Sequence, residues 1–110
     1  GYPPSWWQQA VATLLQHLPA PALIACDPDP DGIAIALQAG GLWSAAGLPW
    51  QPWRMGPAEL LGLPIHRPLD ERDRQLLASL GAGAPLPPEL AALAETLLQL
   101  SGKGEQEGYL

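Results

Sequence analysis

Three aspartates stand at alternate positions of one short segment: Asp27, Asp29 and Asp31, with a proline after each of the first two and Gly32 after the third. The two prolines prevent a helix or strand from continuing through the segment, so we predict a rigid turn. Carboxylates held this close repel one another by about 1 kcal/mol per pair near a surface, and a bound divalent cation removes that repulsion. Because Mg²⁺ and Mn²⁺ prefer carboxylate oxygens, the segment predicts metal chemistry.

Three interpretations of this acidic turn are open. In the first, the turn is a solvated loop that caps the next helix, since negative charge at a helix N-terminus is favourable by about 0.3 to 1 kcal/mol. In the second, it is an EF-hand calcium loop, although the position that should hold a bidentate Glu holds Gln38. In the third, it is a catalytic Mg²⁺ site at the carboxyl end of a parallel strand, where the sites of open α/β sheets lie. A strand before the turn and a helix after it favour the third interpretation.

The elements on either side of the turn are predicted from their apolar patterns. Residues 22–26, Ala-Leu-Ile-Ala-Cys, have no polar alternation, which is typical of a strand covered on both faces, with buried helix as the alternative. Residues 33–46 are predicted to form a well-covered helix, capped by Asp31 and ended by Gly47, in which Gly40 and Gly41 permit close packing. Residues 49–55 are a candidate second parallel strand, short or at an edge because of their prolines. Together they predict an α/β fold with a short parallel sheet flanked by helices.

Further helices are predicted from capping residues and leucine spacing. A first helix over residues 5–18 carries an apolar stripe and ends before two prolines. A leucine-rich face marks the last helix, and residues 103–110 are predicted to be a polar tail. The signals are a Ser5–Gln8 capping box, Pro57 at a helix start, an Asp70 cap with a stop at Gly81, and Pro88 with a stop at Ser101 and Gly102.

Length, charge and cysteine content limit the classes of protein. A chain of 110 residues predicts one domain. A net charge of −6 argues against binding of nucleic acid through the electrostatics of this chain alone. Cys26 is the only cysteine, so no intramolecular disulfide is possible. We find no pattern typical of a signal peptide or a membrane span, and therefore expect a reduced, cytoplasmic protein that does not associate with membranes.

The acidic turn resembles the signature of a known family. Residues 26–33, Cys-Asp-Pro-Asp-Pro-Asp-Gly-Ile, are similar to the G-D-x-D-P-D-G-x motif in the C-terminal domains of JetD proteins, the nuclease subunits of Wadjet plasmid-defence systems. Those domains are Toprim-like and related to the catalytic Toprim domain of topoisomerase VI. Residues 1–5, 52–56 and 105–107 resemble shorter motifs of the same family, so the resemblance extends over nearly the whole chain.

The resemblance implies a partial Toprim (Rossmann-like) domain of a protein that cleaves DNA with Mg²⁺ or Mn²⁺. DNA would be bound through the parent protein, together with condensin-like partner subunits. The implied residues are Asp27 and Asp29 as catalytic metal ligands, Asp31 as a further ligand or only a helix cap, Glu105 or Glu107 as a ligand or part of a solvated tail, and Arg54 as a phosphate contact or an ordinary surface arginine.

The chain departs from the family in one respect that matters for function. Toprim domains begin with a strand that carries a catalytic Glu, and this chain starts after that point, so we expect a fragment or a truncated relative. The alternative function is a non-catalytic dimerisation or interaction module. An uncovered strand edge and the apolar area of five tryptophans favour self-association. We therefore predict a homodimer or a higher oligomer, most simply a two-fold one, through the edge of residues 22–26 or through the first helix around Trp6 and Trp7.

Overall fold

The computed structural model describes residues 2–63, 68–83 and 85–107, with side chains described up to residue 100. The elements in chain order are α1 (Ser5–His17), β1 (Ala22–Ile24), α2 (Pro30–Ala45), β2 (Trp50–Pro52), α3 (Pro57–Leu61), α4 (Glu71–Ala82) and α5 (Pro88–Glu107). The two strands pair in parallel, with Ala22 opposite Trp50 and Ile24 opposite Pro52. This confirms the predicted α/β class, with a short parallel sheet flanked by helices.

The predicted capping box at the start of α1 is wrong. Pro4 is the N-cap, has extended backbone angles and makes no side-chain cap bond, so Ser5 already lies in the first turn. The Gln8 amide donates to the carbonyl oxygen of Pro3 at 2.8 Å instead of to the backbone at Ser5. The interpretation failed because two prolines before Ser5 fix an extended backbone that ends one residue earlier than a capping serine requires.

The start of α2 also differs from the prediction, because Asp29 and not Asp31 is its N-cap. Asp29 is extended at φ −140°, and its carboxylate accepts a hydrogen bond from the Gly32 N–H at 2.6 Å. Pro30 occupies the first helical position, where the N–H that proline lacks has no intrahelical partner to lose. The acidic turn is therefore shorter than predicted, and Asp31 lies within the first turn of the helix.

Both strands have three residues, and β1 is not covered on both faces. Ala22 and Ile24 are half-buried, and Ile24 packs against the core, whereas Leu23 between them is 64% exposed. The full coverage predicted for residues 22–26 is wrong, because the face of β1 that carries Leu23 has no layer packed on it within the described part of the chain.

The core lies on the covered side of the sheet and joins α2 to the C-terminal helices. The cluster is made of Ile33, Ala36, Met55, Leu60, Leu69, Leu77, Leu90, Leu93 and Leu97. The leucine face predicted for α5 is confirmed at three of its positions, whereas Leu98 is exposed. The predicted Asp70 cap is also confirmed: its carboxylate accepts from the Asp73 N–H at 2.8 Å in a reciprocal capping box.

Two helices extend beyond their predicted ends. Helix α4 continues through Gly81 to Ala82, and α5 continues through Ser101 and Gly102 to Glu107, so most of the predicted polar tail is helical. Each glycine costs a helix only about 1 kcal/mol, so one in α4 and two in α5, Gly102 and Gly104, can be offset by preceding turns packed on a core. None of the described helices, α5 included, is long and apolar enough to cross a bilayer.

A glycine sets the distance between α2 and β2. Gly40 is buried in α2, and a Cβ atom at this position would collide with the indole ring of Trp50 at the start of β2. The neighbouring Gly41 is exposed and has no heavy atom within 4 Å of an added Cβ. The predicted close packing is therefore confirmed at Gly40 and absent at Gly41.

Candidate functional site

The acidic turn lies directly beyond the carboxyl end of β1 and leads into α2. The Asp29 N–H donates to the Asp27 carbonyl oxygen at 2.8 Å, and the Ile33 N–H donates to the Asp29 carbonyl oxygen at 3.0 Å. With the bond from the Gly32 N–H to the Asp29 carboxylate, these contacts hold the turn against the positive end of the α2 dipole. An EF-hand is excluded by this geometry, because the turn follows a strand and not a helix.

A pocket of about 470 Å³ opens at the turn. All three aspartates of the predicted site line it, so the structure brings them to one cavity. The lining residues are Tyr2, Cys26, Asp27, Asp29, Asp31, Gly32 and Ile35. Asp27 is exposed, whereas Asp29 and Asp31 are half-buried, so Asp27 is the carboxylate most accessible to a ligand in solution.

Asp31 is held by two residues that no local sequence pattern associates with it. Arg72 in the first turn of α4 donates to its carboxylate through both terminal nitrogens, at 3.3 and 3.2 Å. The Tyr2 hydroxyl donates to the same carboxylate at 3.1 Å. The hydrogen bonds that Arg72 donates to Asp31, and then the charge of Asp31, raise the pKa of Arg72, whereas burial and then the bond to Asp31 raise the pKa of Tyr2. Asp31 therefore links α2, α4 and the segment before α1.

The thiol of Cys26 lies in the negative potential of the pocket. Burial raises the pKa of its thiol, and the charges of Asp27 and then Asp29 raise it further. The thiolate is therefore disfavoured at neutral pH. Within the part of the chain that the structure describes, no three His, Cys, Asp or Glu side chains are arranged to hold a metal ion by themselves. A cation at this turn would rely on ligands from water or from other groups.

Arg54 follows β2 at the same edge of the sheet, because the carboxyl ends of parallel strands lie together. Its guanidinium lies 4.4 Å from the centre of the Trp53 ring, and its φ of 54° is in the left-handed region that is uncommon for residues other than glycine. Arg54 is not one of the described residues that line the acidic pocket, so the structure does not bring it to the aspartates. Its predicted phosphate contact stays a prediction.

Glu105 and Glu107 were the predicted additional ligands. Both lie in the last part of α5, where the structure describes the backbone and not the side chains. Their contribution to a metal site therefore lies outside the described contacts and stays a prediction.

Comparisons with known proteins give no family for the chain. No protein-family model matches it, and no match is found among the curated proteins or the solved structures. The resemblance to JetD proteins is therefore a hypothesis that rests on short motifs alone.

Proposed function

We propose that the acidic turn is the carboxylate part of a Mg²⁺- or Mn²⁺-dependent centre that cleaves phosphodiester bonds in DNA, in a protein of Toprim type. The observation that carries the proposal is the convergence of three aspartates on one pocket at the carboxyl end of a parallel strand. Active sites of open α/β sheets lie at this edge. When bound, the cation would neutralise a phosphate and lower the pKa of a bound water.

The charges at the turn suit one divalent cation. Arg72 offsets the charge of Asp31, which leaves Asp27 and Asp29 as the carboxylates that would hold the ion. Both offer hard oxygen ligands of the kind that Mg²⁺ and Mn²⁺ select. In this proposal Asp29 also caps α2 and so fixes the backbone from which Asp27 projects, while Glu105 or Glu107 is a candidate further ligand. A carboxylate elsewhere in the parent protein would take the proton.

The first prediction is that a divalent cation stabilises the fold. A ligand that binds only the native state stabilises it by about 1.4 kcal/mol at ten times its dissociation constant. For a chain of this length that corresponds to a rise in Tm of about 6 °C. We expect Mn²⁺ at millimolar concentration to raise the Tm measured by calorimetry, and Asp27→Asn to abolish most of the rise.

The control for this experiment is Glu95→Gln, which removes one exposed carboxylate from α5 and should leave the Mn²⁺ response unchanged. An equal response in the Asp27→Asn variant would show that the cation binds elsewhere. The absence of any response in the unmodified chain would refute the proposed metal site.

The second prediction is that the chain alone does not nick plasmid DNA at a measurable rate. Its net charge of −6 opposes approach to a polyanion, and no complete metal-holding group is present among the described residues. Gel analysis of supercoiled plasmid incubated with Mg²⁺ would measure this. Robust nicking that is lost in Asp27→Ala would contradict the expectation about the isolated chain and would strengthen the assignment as a nuclease.

A non-catalytic dimerisation module is the second candidate function, because one row of α1 is apolar and exposed. Trp6 is 71% exposed and Leu14 53% exposed, with Ala10 between them at a spacing of four residues. Rows of this spacing are the ridges through which helices most often pack on each other. Of the two contacts predicted from the sequence, this one presents the larger apolar side chains.

The third prediction is that the chain forms a homodimer through this row. At tens of micromolar, sedimentation equilibrium should give twice the mass of one chain, and Trp6→Glu combined with Leu14→Glu should give a monomer. Leu61→Glu is the matched control, since Leu61 is an exposed leucine of α3 and should leave the dimer intact. A strictly monomeric unmodified chain would contradict this prediction.

A further inference from the structure

A second groove runs along the side of β1 that faces away from β2. Its volume is about 670 Å³, and no residue of β2 is among its described lining residues. The segment before α1, the first turn of α1 and one face of α2 form its walls, and residues 22–26 form its floor. The wall residues are Tyr2, Pro3, Pro4, Trp7, Ile35, Ala39 and Trp43. The groove is therefore bounded by a strand edge on one side and by apolar side chains on the other.

The strand edge in this groove offers unused backbone groups. The Ala22 N–H donates to the Pro49 carbonyl oxygen at 3.2 Å, and the Ile24 carbonyl oxygen accepts from the Trp53 N–H at 2.9 Å, so both residues bond towards β2. Neighbouring residues of a strand direct their N–H and C=O groups to opposite sides. Those of Leu23 therefore face the groove, and they have no hydrogen-bond partner within the described residues.

The groove has one charged end. It shares Tyr2, Cys26 and Ile35 with the acidic pocket, so it opens into that pocket beyond the carboxyl end of β1. Asp27 is exposed there. A bound chain that follows β1 would thus meet apolar walls along most of its length and negative charge at one end.

We propose that this groove binds an extended, apolar segment of another protein, which pairs its backbone with β1 and places a lysine or arginine beside Asp27. An extended chain is the occupant that fits, because it presents N–H and C=O groups at the spacing of the strand, whereas a helix uses its own internally. The three residues of β1 span about 10 Å, which matches about three residues of a bound strand, and residues 25 and 26 continue the floor of the groove beyond it. The proposal needs no metal ion or phosphate and goes beyond the proposed nuclease centre.

A second copy of the chain lacks the charge that this groove would attract. In a two-fold pairing, β1 of the partner would lie along β1, and the residues that flank it would meet Asp27. Residues 10–26 contain no lysine or arginine, so such a pairing brings no cation to the acidic end. Charge complementarity therefore favours an apolar segment of a different protein that carries a lysine or arginine over a second copy of the chain.

The test is a binding measurement with a synthetic peptide. The probe alternates valine and threonine, carries a lysine at each end, and is titrated by calorimetry in the presence of EDTA, so that failure of the proposed metal site would not affect the result. We expect saturable binding that also changes the intrinsic tryptophan fluorescence of the chain, because Trp7 and Trp43 line the groove. Replacing both lysines by glutamates, or making Asp27→Asn, should weaken binding about threefold or more, and Glu95→Gln should not.

Backbone pairing is tested separately from charge. N-methylation of the peptide at alternate residues removes its donors on one edge, and only one of the two methylated sets should lose affinity, by about tenfold. Leu23→Pro should cause a similar loss, since it deletes an N–H that the sheet does not use. If the Leu23→Pro variant fails to fold, the methylated peptides alone test whether the peptide backbone pairs with β1. Equal binding of both methylated sets, no binding of the probe, or self-association of the chain through β1 in place of peptide binding would overturn the proposal.

Discussion

Gly40→Ala is expected to lower the free energy of unfolding by about 2 kcal/mol, even though alanine is the better helix former. The reason is that the new Cβ would collide with the Trp50 ring, which contacts Gly40 at the present distance between α2 and β2. Relief requires either α2 or the first residue of β2 to move, and Trp50 packs against the core, so the parallel pairing with β1 would be disturbed. Urea denaturation followed by circular dichroism measures the effect.

Gly41→Ala is the matched control for this prediction. It makes the same chemical change at the next residue of α2, where an added Cβ meets nothing within 4 Å. Because alanine loses less backbone entropy on folding than glycine, we expect stabilisation by about 0.5 to 1 kcal/mol. Equal effects of the two substitutions would contradict the proposed contact between Gly40 and Trp50.

Gly32→Ala is expected to distort the acidic turn without removing a carboxylate. An added Cβ would overlap the Asp27 carbonyl oxygen and lie 3.1 Å from the Asp29 carboxylate that caps α2. The backbone cannot give way as a flexible side chain would, so we expect a loss of about 2 kcal/mol in unfolding free energy. We also expect loss of the Mn²⁺-dependent rise in Tm, because the spacing of Asp27 and Asp29 depends on this turn.

Gly81→Ala provides the comparison, because an added Cβ in that exposed part of α4 meets nothing within 4 Å. Its Mn²⁺ response should equal that of the unmodified chain. If Gly32→Ala kept full stability and a normal Mn²⁺ response, the turn would not have the tight geometry described above.

The strand, turn and helix at the centre of the fold could be predicted because local patterns determine them. An apolar run before Asp27 and a long apolar helix after Gly32 are readable from composition and breakers alone. The cap of α2 was also readable, since Pro30 favours the first helical position and therefore assigns the cap to Asp29. A helix that begins at Ile33, as the apolar pattern alone suggests, places the cap at Asp31 instead.

Other features depend on contacts between distant parts of the chain and left no local pattern. The bidentate pairing of Arg72 with Asp31 joins residues 41 positions apart, and either residue alone looks like an ordinary surface charge. The exposure of Leu23 depends on how many layers pack on the sheet. Helix α5 continues past the predicted stop at Ser101 and Gly102 and also includes Gly104, in line with the small cost of about 1 kcal/mol for each glycine in a helix.

The most direct test of the proposed metal centre is to count bound Mn²⁺. In electron paramagnetic resonance, free Mn²⁺ gives a sharp signal that is lost on binding, so a titration yields both stoichiometry and affinity. The proposal predicts one Mn²⁺ per chain, displaced by Mg²⁺, with binding lost in Asp27→Asn and retained in Glu95→Gln. A titration in which the unmodified chain and Asp27→Asn take up the same amount of Mn²⁺, or in which neither takes up any, would contradict a divalent-cation site at the acidic turn.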